Sequence, residues 1–523
     1  MKNQFYKDSR DSKEKKSAPS KSSNFRAERK TSNPKYSSKS EFERTRFERR
    51  EQTQEADFER TRFEKPEKNA KRDSHANWRN TVRQKKTVSI RKELFDEKSI
   101  PEDAAKIIAN FDKVIEDVMH LSGKQKVTLP AAVKNLSHQL TDERGTRRLG
   151  YMNEASFLSA YVNYFMWWNL VRLCRLFANL PKSAFNFDDG TVALDIGSGP
   201  LTIPIALWLS RPELRSKKIV WYCLDLSSQA LSLGEEIYLS VAAKTIAAAA
   251  SSSNAASSES KDEKNPEKKS AKTFEPWKII RVKGSLGTAI KEKADFVTCG
   301  NTFNEIIQRN EMPTDFLAKK YSSQLISYLK DEKDSAEKKQ NILLIEPGDP
   351  HSARFISLIR NAFIRQNFKP VAPCPHAEEC PMAGRTGGRA TNANGKNTKW
   401  CNFAFSTDSA PKSLLRLSEK AGIPKERASL SFIFVSRDSN QKKEEKTAAQ
   451  NPENEKIFIR IASDFIKLPE IHRSGYYACS KYGMLLAVDE NHIQPKNGEL
   501  LQIRTPENLD ERDQKSGAAI VKI

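Results

Sequence analysis

The sequence predicts an α/β fold, in which helices cover both faces of a Rossmann-like, doubly wound sheet. Three observations predict it. Short apolar runs alternate with helical patterns between residues 191 and 437, and a glycine-rich turn joins the first of these runs to the first helix. After residue 456, apolar and polar residues alternate as they do in a small β-rich region.

Two regions precede the predicted sheet. Residues 1–90 are rich in charged residues and Ser and poor in aliphatic side chains, so they cannot offset their chain entropy by burial, and we expect a disordered basic tail. The heptapeptide FERTRFE occurs twice in the tail, at Phe42–Glu48 and Phe58–Glu64; its Arg and Phe side chains could contact RNA, and a duplicated linker is the alternative. Residues 91–180 have a helical pattern, with a buried aromatic helix pair at Tyr151–Leu180.

The predicted α/β domain spans residues 181–437. Its first strand is TVALDI and its second is KIVWYCLDL, and further strands follow in WKIIRVKGSL, DFVTCG, NILLIEPG and LSFIFVSR. An Ala-, Ser- and Lys-rich stretch, residues 247–272, interrupts this pattern and predicts a disordered, low-complexity surface insertion. A cysteine-containing segment, residues 371–403, precedes the last strand, and residues 456–523 form the predicted β-rich region.

The charge of the chain points to a polyanionic partner. Its 523 residues carry a formal net charge of +22 and a pI of about 9.5, and nucleic acid is the commonest partner of so basic a protein. The sequence contains no apolar run long enough to span a membrane and no apolar core of a secretory signal near Met1. We therefore expect a cytoplasmic protein with no membrane partner, whose thiols stay reduced.

The glycine-rich turn predicts a nucleotide-like cofactor. Gly197 and Gly199 lie between a strand and a helix, where a ligand can approach the backbone closely, and Asp225 ends the next strand, where a carboxylate can accept hydrogen bonds from ribose hydroxyls. The turn reads GSGPL and lacks the third glycine of a dinucleotide site, which favours S-adenosylmethionine over NAD. The stretch Asp295–Glu305 lies where class I methyltransferases place the strand that faces the methyl group.

The residues that would perform catalysis are not evident from the sequence. Amino-methylating enzymes often carry an Asn/Asp-Pro-Pro-aromatic motif, but the corresponding stretch here reads Cys-Gly-Asn-Thr-Phe, residues 299–303. We interpret Cys299 as a buried thiol, and we identify no general base. A fold that binds the cofactor without transferring a methyl group is therefore the alternative to an enzyme.

Four of the seven cysteines predict a metal centre. Cys374, Cys380 and Cys401 are clustered in the segment 371–403, and Cys479 is our choice for a fourth thiolate. Four thiolates can hold zinc or an iron–sulfur cluster, and the absence of a tight Cys-x2–4-Cys spacing favours iron–sulfur, with zinc as the alternative. His376 is a less favoured ligand, and the basic loop Gly384–Lys399 is either a phosphate-contacting finger or a disordered insertion.

Several of these motifs together resemble a known family. The aromatic helix, LDIGSGPLTIPIAL, DFVTCGNTFNEI, LLIEPGDP, CPH-x3-CP and WCNF are similar to motifs in the methyltransferase-like proteins of small-ribosomal-subunit assembly. That family is known chiefly from mitochondria and has bacterial members, of which we interpret this chain as one. The resemblance covers roughly Leu129–Gly483, and Glu346-Pro347-Gly348 is one of its most specific marks.

The resemblance implies a fold, two cofactors and a partner. The fold is that of a class I S-adenosylmethionine-dependent methyltransferase, with a four-cysteine iron–sulfur cluster, presumed 4Fe–4S in type, beside it. The partner is small-subunit ribosomal RNA in the assembling subunit, and we expect the protein to act as a monomer. Asp195, Gly197, Gly199 and Asp225 match the family's cofactor-binding residues, while Leu201 departs from its pattern.

Three functions remain open at this point. The first is an rRNA methyltransferase, and the second is a non-catalytic assembly factor that binds rRNA. The third is a redox-responsive regulator whose cluster acts as a sensor.

Overall fold

A computed structural model describes residues 88–142, 150–258, 274–331, 339–383, 399–438 and 456–523, except for the side chains of residues 252–258 and 470. The predicted basic tail, apart from its last three residues, lies outside these ranges. So does the glycine-rich basic loop, apart from Lys399.

The chain enters the described region through a strand and a set of helices. Strand β1 (Val88–Lys92) precedes five helices, which are α1 (Glu102–Ala109), α2 (Phe111–Val118), α3 (Gly123–Thr141), α4 (Ala155–Ala160) and α5 (Trp167–Asn179). A π-helical turn, Tyr161–Met166, joins α4 to α5, so the predicted helix pair is one interrupted helical segment. The Trp167 indole is buried and donates a hydrogen bond to the Ile108 carbonyl at 2.8 Å, which confirms its place in the core.

A central sheet follows, and its strand order defines the fold. The strands are β2 (Val192–Ile196), β3 (Val220–Asp225), β4 (Lys278–Lys283), β5 (Phe296–Gly300), β6 (Gln340–Glu346), β7 (Lys369–Ala372), β8 (Phe403–Ser406) and β9 (Arg427–Arg437). The order is β4-β3-β2-β5-β6-β9-β7; the first five are parallel, β9 is antiparallel to both of its neighbours, and β8 pairs with β9 off this path.

Helices bury both faces of this sheet. They are α6 (Thr202–Ser210), α7 (Ser228–Ser258), α8 (Phe303–Gln308), α9 (Thr314–Ile326), α10 (Pro350–Ile364) and α11 (Lys412–Lys420). Consecutive residues of β2 show the two-sided burial, because Ala193 packs in one apolar cluster and Leu194 in another. Strands covered on both sides have continuous apolar sequences, which is why these strands could be predicted.

Helix α7 corrects one prediction. The low-complexity insertion was expected to begin at residue 247, but the helix continues through Ser258. Alanine has the highest intrinsic helix propensity, so the run of four alanines extends the helix that precedes it. Residues 259–272 of the expected insertion lie outside the described ranges.

The C-terminal region forms a second sheet, as predicted. Its strands are β10 (Lys456–Ile461), β11 (Ile466–Leu468), β12 (Arg473–Ser480), β13 (Gly483–Asp489), β14 (Leu500–Arg504) and β15 (Ala519–Lys522). Strand β10 pairs with β12 and β14, β12 pairs with β13, and β13 runs parallel to β15, which is the pairing of an OB-type barrel. Strand β1 adds to the edge of β14.

One face of this barrel is covered by the rest of the protein. Alternate residues of β12 point to opposite sides, so that Tyr476 and Ala478 fill the barrel interior while Tyr477 and Cys479 pack in the large apolar cluster of the α/β domain. Strand β12 therefore presents Cys479 to the cysteine segment. No helix in the described ranges is both long enough and apolar enough to cross a membrane.

Candidate functional site

A cavity of about 590 Å³ lies at the carboxyl edge of the central sheet. Residues that follow each of the five parallel strands line it, and they include Gly197 after β2, Asp225 at the end of β3, Gly284 after β4, Asn301 after β5 and Pro347 after β6. In open α/β sheets, ligands bind at this edge, in the crevice where the strand order reverses. Residues at the end of α3, in the π-helical turn and in α5 cover the cavity from the other side.

The glycine turn forms one wall of the cavity. Gly197 and Gly199 have positive φ angles of 69° and 52°, and the N–H groups of Gly197 and Ser198 donate to the Leu224 carbonyl at 2.8 and 3.0 Å. A Cβ atom at Gly197 would overlap the Thr302 side chain. The first glycine is therefore required by the close approach of the loop after β5 as well as by its backbone conformation.

Asp225 is fixed at the wall of the same cavity. Its Oδ2 accepts a hydrogen bond from the Gly199 N–H at 2.9 Å, and its Oδ1 accepts one from the Ser227 N–H at 2.8 Å. Burial raises the pKa of this carboxyl group, and the two N–H groups oppose the rise. Each carboxylate oxygen has a second lone pair, so the group can still accept a hydroxyl from a ligand in the cavity.

Two other residues of the predicted cofactor motif do not line the cavity. Asp195 is buried within β2, where the Thr298 hydroxyl donates to its Oδ1 at 2.7 Å, and burial raises the pKa of Asp195 to about 7. Leu201 is fully buried, and its side chain packs against Gly234 of α7. The departure from the family pattern at Leu201 is therefore accommodated in the core and does not narrow the cavity.

Glu346 fixes the loop that follows β5. Its Oε1 accepts hydrogen bonds from the N–H groups of Thr302 at 3.1 Å and Phe303 at 2.8 Å, and its Oε2 accepts from the N–H of Asn304 at 3.1 Å and from Asn304 Nδ2 at 2.8 Å. Burial raises the pKa of Glu346, and the donors of Asn304 and Phe303 oppose the rise. The sequence marked this residue only as part of the Glu-Pro-Gly motif; its position at the carboxyl end of a buried strand was the signal for its role.

The only aromatic residue of that loop lies in the core. The Phe303 ring is fully buried, with its centroid 5.4 Å from that of Tyr321 and 4.8 Å from that of Phe355. It cannot stack on a ligand in the cavity without leaving these contacts. The loop instead presents polar side chains to the cavity, from Asn301, Asn304 and Glu305.

The opposite wall contains residues that the sequence reasoning missed. Tyr161, Asn169 and Arg172 line the cavity from the helical region, and Lys425 lines it from the connection between α11 and β9. This helical segment was interpreted as core because of its aromatic residues. The arginine in WWNLVRLCRLF was the available signal, because a charged residue seldom occurs in a buried helix without a partner.

The structure brings the four predicted metal ligands within electrostatic reach of one another. Burial, followed by repulsion from Cys380, Cys374 and Cys479, raises the pKa of Cys401 well above its usual range. Two arginines face the group. Arg360 Nε donates to Cys374 Sγ at 3.2 Å, and Arg460 lies opposite Cys479 across the β10–β12 pair.

His376 also lies at this site, since its Nε2 is 3.0 Å from Cys479 Sγ. Burial and repulsion from Arg360 lower the pKa of His376 to about 4, which keeps the imidazole neutral. The remaining cysteines, Cys174, Cys223 and Cys299, are fully buried elsewhere in the core, as the sequence predicted for Cys299.

The cysteine site has the donor chemistry of a thiolate-bound metal. Repulsion between neighbouring thiolates is what a bound cation or cluster relieves, and soft sulfur ligands suit zinc and iron–sulfur centres. In the described ranges, however, no group of three or more His, Cys, Asp or Glu side chains is arranged so that it could hold a metal ion. Metal binding therefore stays a prediction.

The fold and the cavity define a methyltransferase-like protein of class I, since the strand order, the antiparallel strand β9 and the glycine turn below the cavity are those of that class. Residues 319–465 match the model of the family described as Mitochondrial small ribosomal subunit Rsm22. The match confirms the predicted resemblance to a methyltransferase-like family of the small ribosomal subunit.

Solved structures similar to this chain include methyltransferases. One is the precorrin-6y C5,15-methyltransferase of Geobacter metallireducens, with 11% identity over 49% of this chain and 84% of that one and a TM-score of 0.25. A second is an S-adenosylmethionine-dependent methyltransferase of Geobacter sulfurreducens in complex with S-adenosylhomocysteine, with 11% identity over 51% of this chain and 89% of that one and a TM-score of 0.25.

A third is a putative RNA methyltransferase of Pyrococcus horikoshii, with 12% identity over 48% of this chain and 76% of that one and a TM-score of 0.22. TM-scores this low carry no argument about function, and the fold assignment depends on the strand order above. No curated protein sequence matches the chain at a significant level.

Proposed function

We propose that this chain is a methyltransferase-like protein that binds S-adenosylmethionine and acts on the rRNA of the small ribosomal subunit during assembly. The observation that carries the proposal is the carboxylate of Asp225, fixed by the Gly199 N–H at the wall of a cavity large enough for a nucleoside. The family match supports the ribosomal part, and the net charge of +22 supports an RNA partner.

The residues of the cavity fit the cofactor, which supplies an electrophilic methyl group when it is bound. Asp225 would accept the ribose hydroxyls, and the glycine turn leaves room for the backbone to approach the ligand. Gly284, Ser285 and Leu286 line the part of the cavity that follows β4. Glu346 would keep the loop 302–304 at a fixed height above the cofactor, since it receives four hydrogen bonds from that loop.

A specific observation favours a second candidate, a non-catalytic assembly factor. Phe303 occupies the place where amino-methylating enzymes present an aromatic ring to the target base, but it is buried between Tyr321 and Phe355. Without that ring, the loop after β5 lacks a stacking surface for a base. The cavity would then hold the cofactor as a structural ligand while the protein binds rRNA.

Methyl transfer to immature small subunits would distinguish the two candidates. Purified protein is incubated with radiolabelled S-adenosylmethionine and immature subunits, alongside the variants Gly197→Arg and Gly190→Arg. Both glycines have positive φ, but a Cβ at Gly190 meets nothing within 4 Å, so this variant is the matched control.

Transfer of label to rRNA that is lost in Gly197→Arg and retained in Gly190→Arg would support the enzyme. Cofactor and subunit binding without transfer would support the factor. If the wild-type protein binds neither the cofactor nor the subunit, the proposed function is wrong.

We also propose that Cys374, Cys380, Cys401 and Cys479 bind an iron–sulfur cluster, of the 4Fe–4S type, with zinc as the alternative. Arg360 and Arg460 support this, because two buried guanidinium groups beside the sulfurs would balance the negative charge of a cluster with four thiolate ligands. The thiolates come from two segments that are distant in sequence, so the centre would join the barrel to the α/β domain.

Metal analysis of anaerobically purified protein tests this second proposal. Iron with acid-labile sulfide is expected in the wild-type protein and should be lost when each of the four cysteines is changed to serine. Cys174→Ser is the control, because the Cys174 thiol already donates a hydrogen bond to the Ala206 carbonyl that a serine hydroxyl can replace. If the analysis finds one zinc ion per chain instead of iron and sulfide, the four cysteines bind zinc. The absence of both metals would refute the site.

A further inference from the structure

Two cationic side chains face the cavity from the wall opposite the glycine turn. Arg172 extends from α5, and Lys425 lies in the connection between α11 and β9. Arg172 is half-buried, whereas Lys425 is exposed, which puts the lysine at the mouth of the cavity. The two residues are 253 positions apart in the sequence and meet only through the fold.

The Arg172 guanidinium is held in place by neutral groups. Its Nη1 donates to the Ser429 carbonyl at 2.6 Å, and its Nη2 donates to Asn169 Oδ1. An arginine has five N–H donors in a rigid planar arrangement, so the remaining donors can bind a further acceptor. Fixing a guanidinium with neutral partners orients it and leaves its charge uncompensated.

Neither side chain has an acidic partner within the described ranges. Burial lowers the pKa of Arg172 to about 10, and no carboxylate opposes the change. The walls of the cavity and the charge of Arg172 lower the pKa of Lys425, although its side chain is accessible to solvent. The Lys425 Nζ lies 5.6 Å from the centroid of the Trp168 ring.

Other buried arginines of the same region are paired. Arg215 forms an ion pair with Asp103, and Arg175 forms one with Glu97 at 2.8 Å. Placing two like charges together without a counter-ion costs free energy, and proteins retain such arrangements chiefly where a ligand supplies the opposite charge. A ligand that carries negative charge would therefore complement this wall of the cavity.

We propose that Arg172 and Lys425 form an oxyanion subsite that binds a backbone phosphate of single-stranded RNA inserted into the cavity. The inference depends on the proposed function, because it assumes an RNA partner. A planar arginine with free donors suits the bidentate geometry of phosphate, and a lysine adds a point charge. Tyr161 and Phe165 line the same wall and give a base an aromatic surface on which to stack.

The carboxylate of the cofactor is the other oxyanion that could reach this wall. The exposed position of Lys425 favours the phosphate, because a chain that enters from solvent passes the mouth of the cavity first, whereas a cofactor fixed by Asp225 is held at the opposite wall. The two sources predict different responses to substitution, since RNA and cofactor affinity can be measured separately.

Lys425→Met is the most informative variant, because among the residues that the structure describes the Lys425 side chain has no hydrogen-bond partner whose loss would disturb folding. Lys420→Met removes the same charge from an exposed position on α11 that does not line the cavity, and it is the matched control. Arg172→Lys keeps the charge but removes the planar fork. Binding of fluorescein-labelled single-stranded rRNA is measured by anisotropy over a series of salt concentrations, and cofactor affinity is measured by calorimetry.

Lys425→Met and Arg172→Lys should each weaken RNA binding about 5- to 20-fold, while Lys420→Met changes it less than twofold. For Lys425→Met, the slope of log affinity against log salt should fall by about 0.7, the value for one phosphate on a single strand. Cofactor affinity should stay unchanged in all three variants.

Unchanged RNA affinity in Lys425→Met would overturn the subsite. So would a loss of cofactor affinity with RNA binding intact, because the anion would then be the cofactor carboxylate. A wild-type protein that binds no RNA would instead refute the proposed function itself.

Discussion

The glycine turn offers a quantitative test, because two glycines with similar backbone conformations flank strand β2. Gly190 has a φ of 80° and Gly197 a φ of 69°, so alanine is strained at both positions. A left-handed conformation costs an alanine about 1–2 kcal/mol relative to glycine. Gly190→Ala should therefore lower the free energy of unfolding by about that amount.

Gly197→Ala should cost more, because its new methyl group would overlap Thr302. Overpacking of this kind adds about 1–3 kcal/mol, so the total loss should reach about 2–5 kcal/mol. The extra cost should depend on Thr302, whose Oγ1 would meet the methyl group first, while its Cβ would lie at 3.1 Å. Thr302→Ala removes the overlapping atom and alone should cost about 1 kcal/mol for the lost hydrogen bond to the Gly300 carbonyl.

A double-mutant cycle of Gly197→Ala and Thr302→Ala, measured by denaturant unfolding, isolates the overlap. The loss in free energy of unfolding should be smaller in the double variant than the sum of the two single losses, by about 1–3 kcal/mol, because alanine at position 302 makes room for the methyl group. The pair Gly190→Ala and Thr302→Ala should be additive within about 0.5 kcal/mol. Equal coupling in the two cycles would show that backbone strain alone explains both glycines, and the reasoning about the close approach would fail.

Two further predictions concern buried carboxylates. Glu346→Gln should weaken cofactor binding by about 1–3 kcal/mol, because its amide NH2 would face N–H donors of the loop 302–304. The control is Glu499→Gln, which alters an equally buried glutamate bound to Arg91 in the barrel and should leave cofactor affinity unchanged. Equal cofactor affinities of the wild-type protein and both variants would contradict the role of Glu346. Burial raises the pKa of Asp195 to about 7 in the folded state, so its contribution to stability is complete below the usual pKa of about 4 and is lost as the pH rises through 7. Relative to Asp195→Asn, the wild-type free energy of unfolding should therefore fall between pH 4 and pH 7, by at most about 4 kcal/mol, and a difference that does not vary with pH would refute this assignment.

The strands and the glycine turn could be predicted because their signals are local. TVALDI and NILLIEPG are apolar runs bounded by polar residues, and every residue of β2 and β6 is buried. The turn at residues 197–199 requires backbone conformations that glycine adopts readily, and the structure gives both glycines positive φ. In both cases the residues themselves carry the constraint.

Other features depended on packing that local patterns do not record. Asp195 fits the cofactor motif by its spacing, but it lies within the strand, where its side chain meets Thr298 and not the cavity. Arg172 and Lys425 share the cavity only because α5 and the segment before β9 pack over the same edge of the sheet. The end of α7 was misplaced because a run of alanine and serine was interpreted by its low complexity instead of its helix propensity.

The cysteine segment and the cavity are connected through the Glu-Pro-Gly turn, residues 346–348. Beside Cys401, the Trp400 indole donates to the Gly348 carbonyl at 3.0 Å, and Asn402 Nδ2 donates to the same oxygen at 3.3 Å. Glu346, two residues before Gly348, holds the loop that lines the cavity. A centre that orders Cys401 would therefore also order the turn that positions this loop, through contacts of ordinary hydrogen-bond length. Because the barrel contributes Cys479, all four cysteines could bind one centre only when the barrel is packed against the α/β domain. The loop that lines the cavity would then be fully ordered only in the completely folded chain.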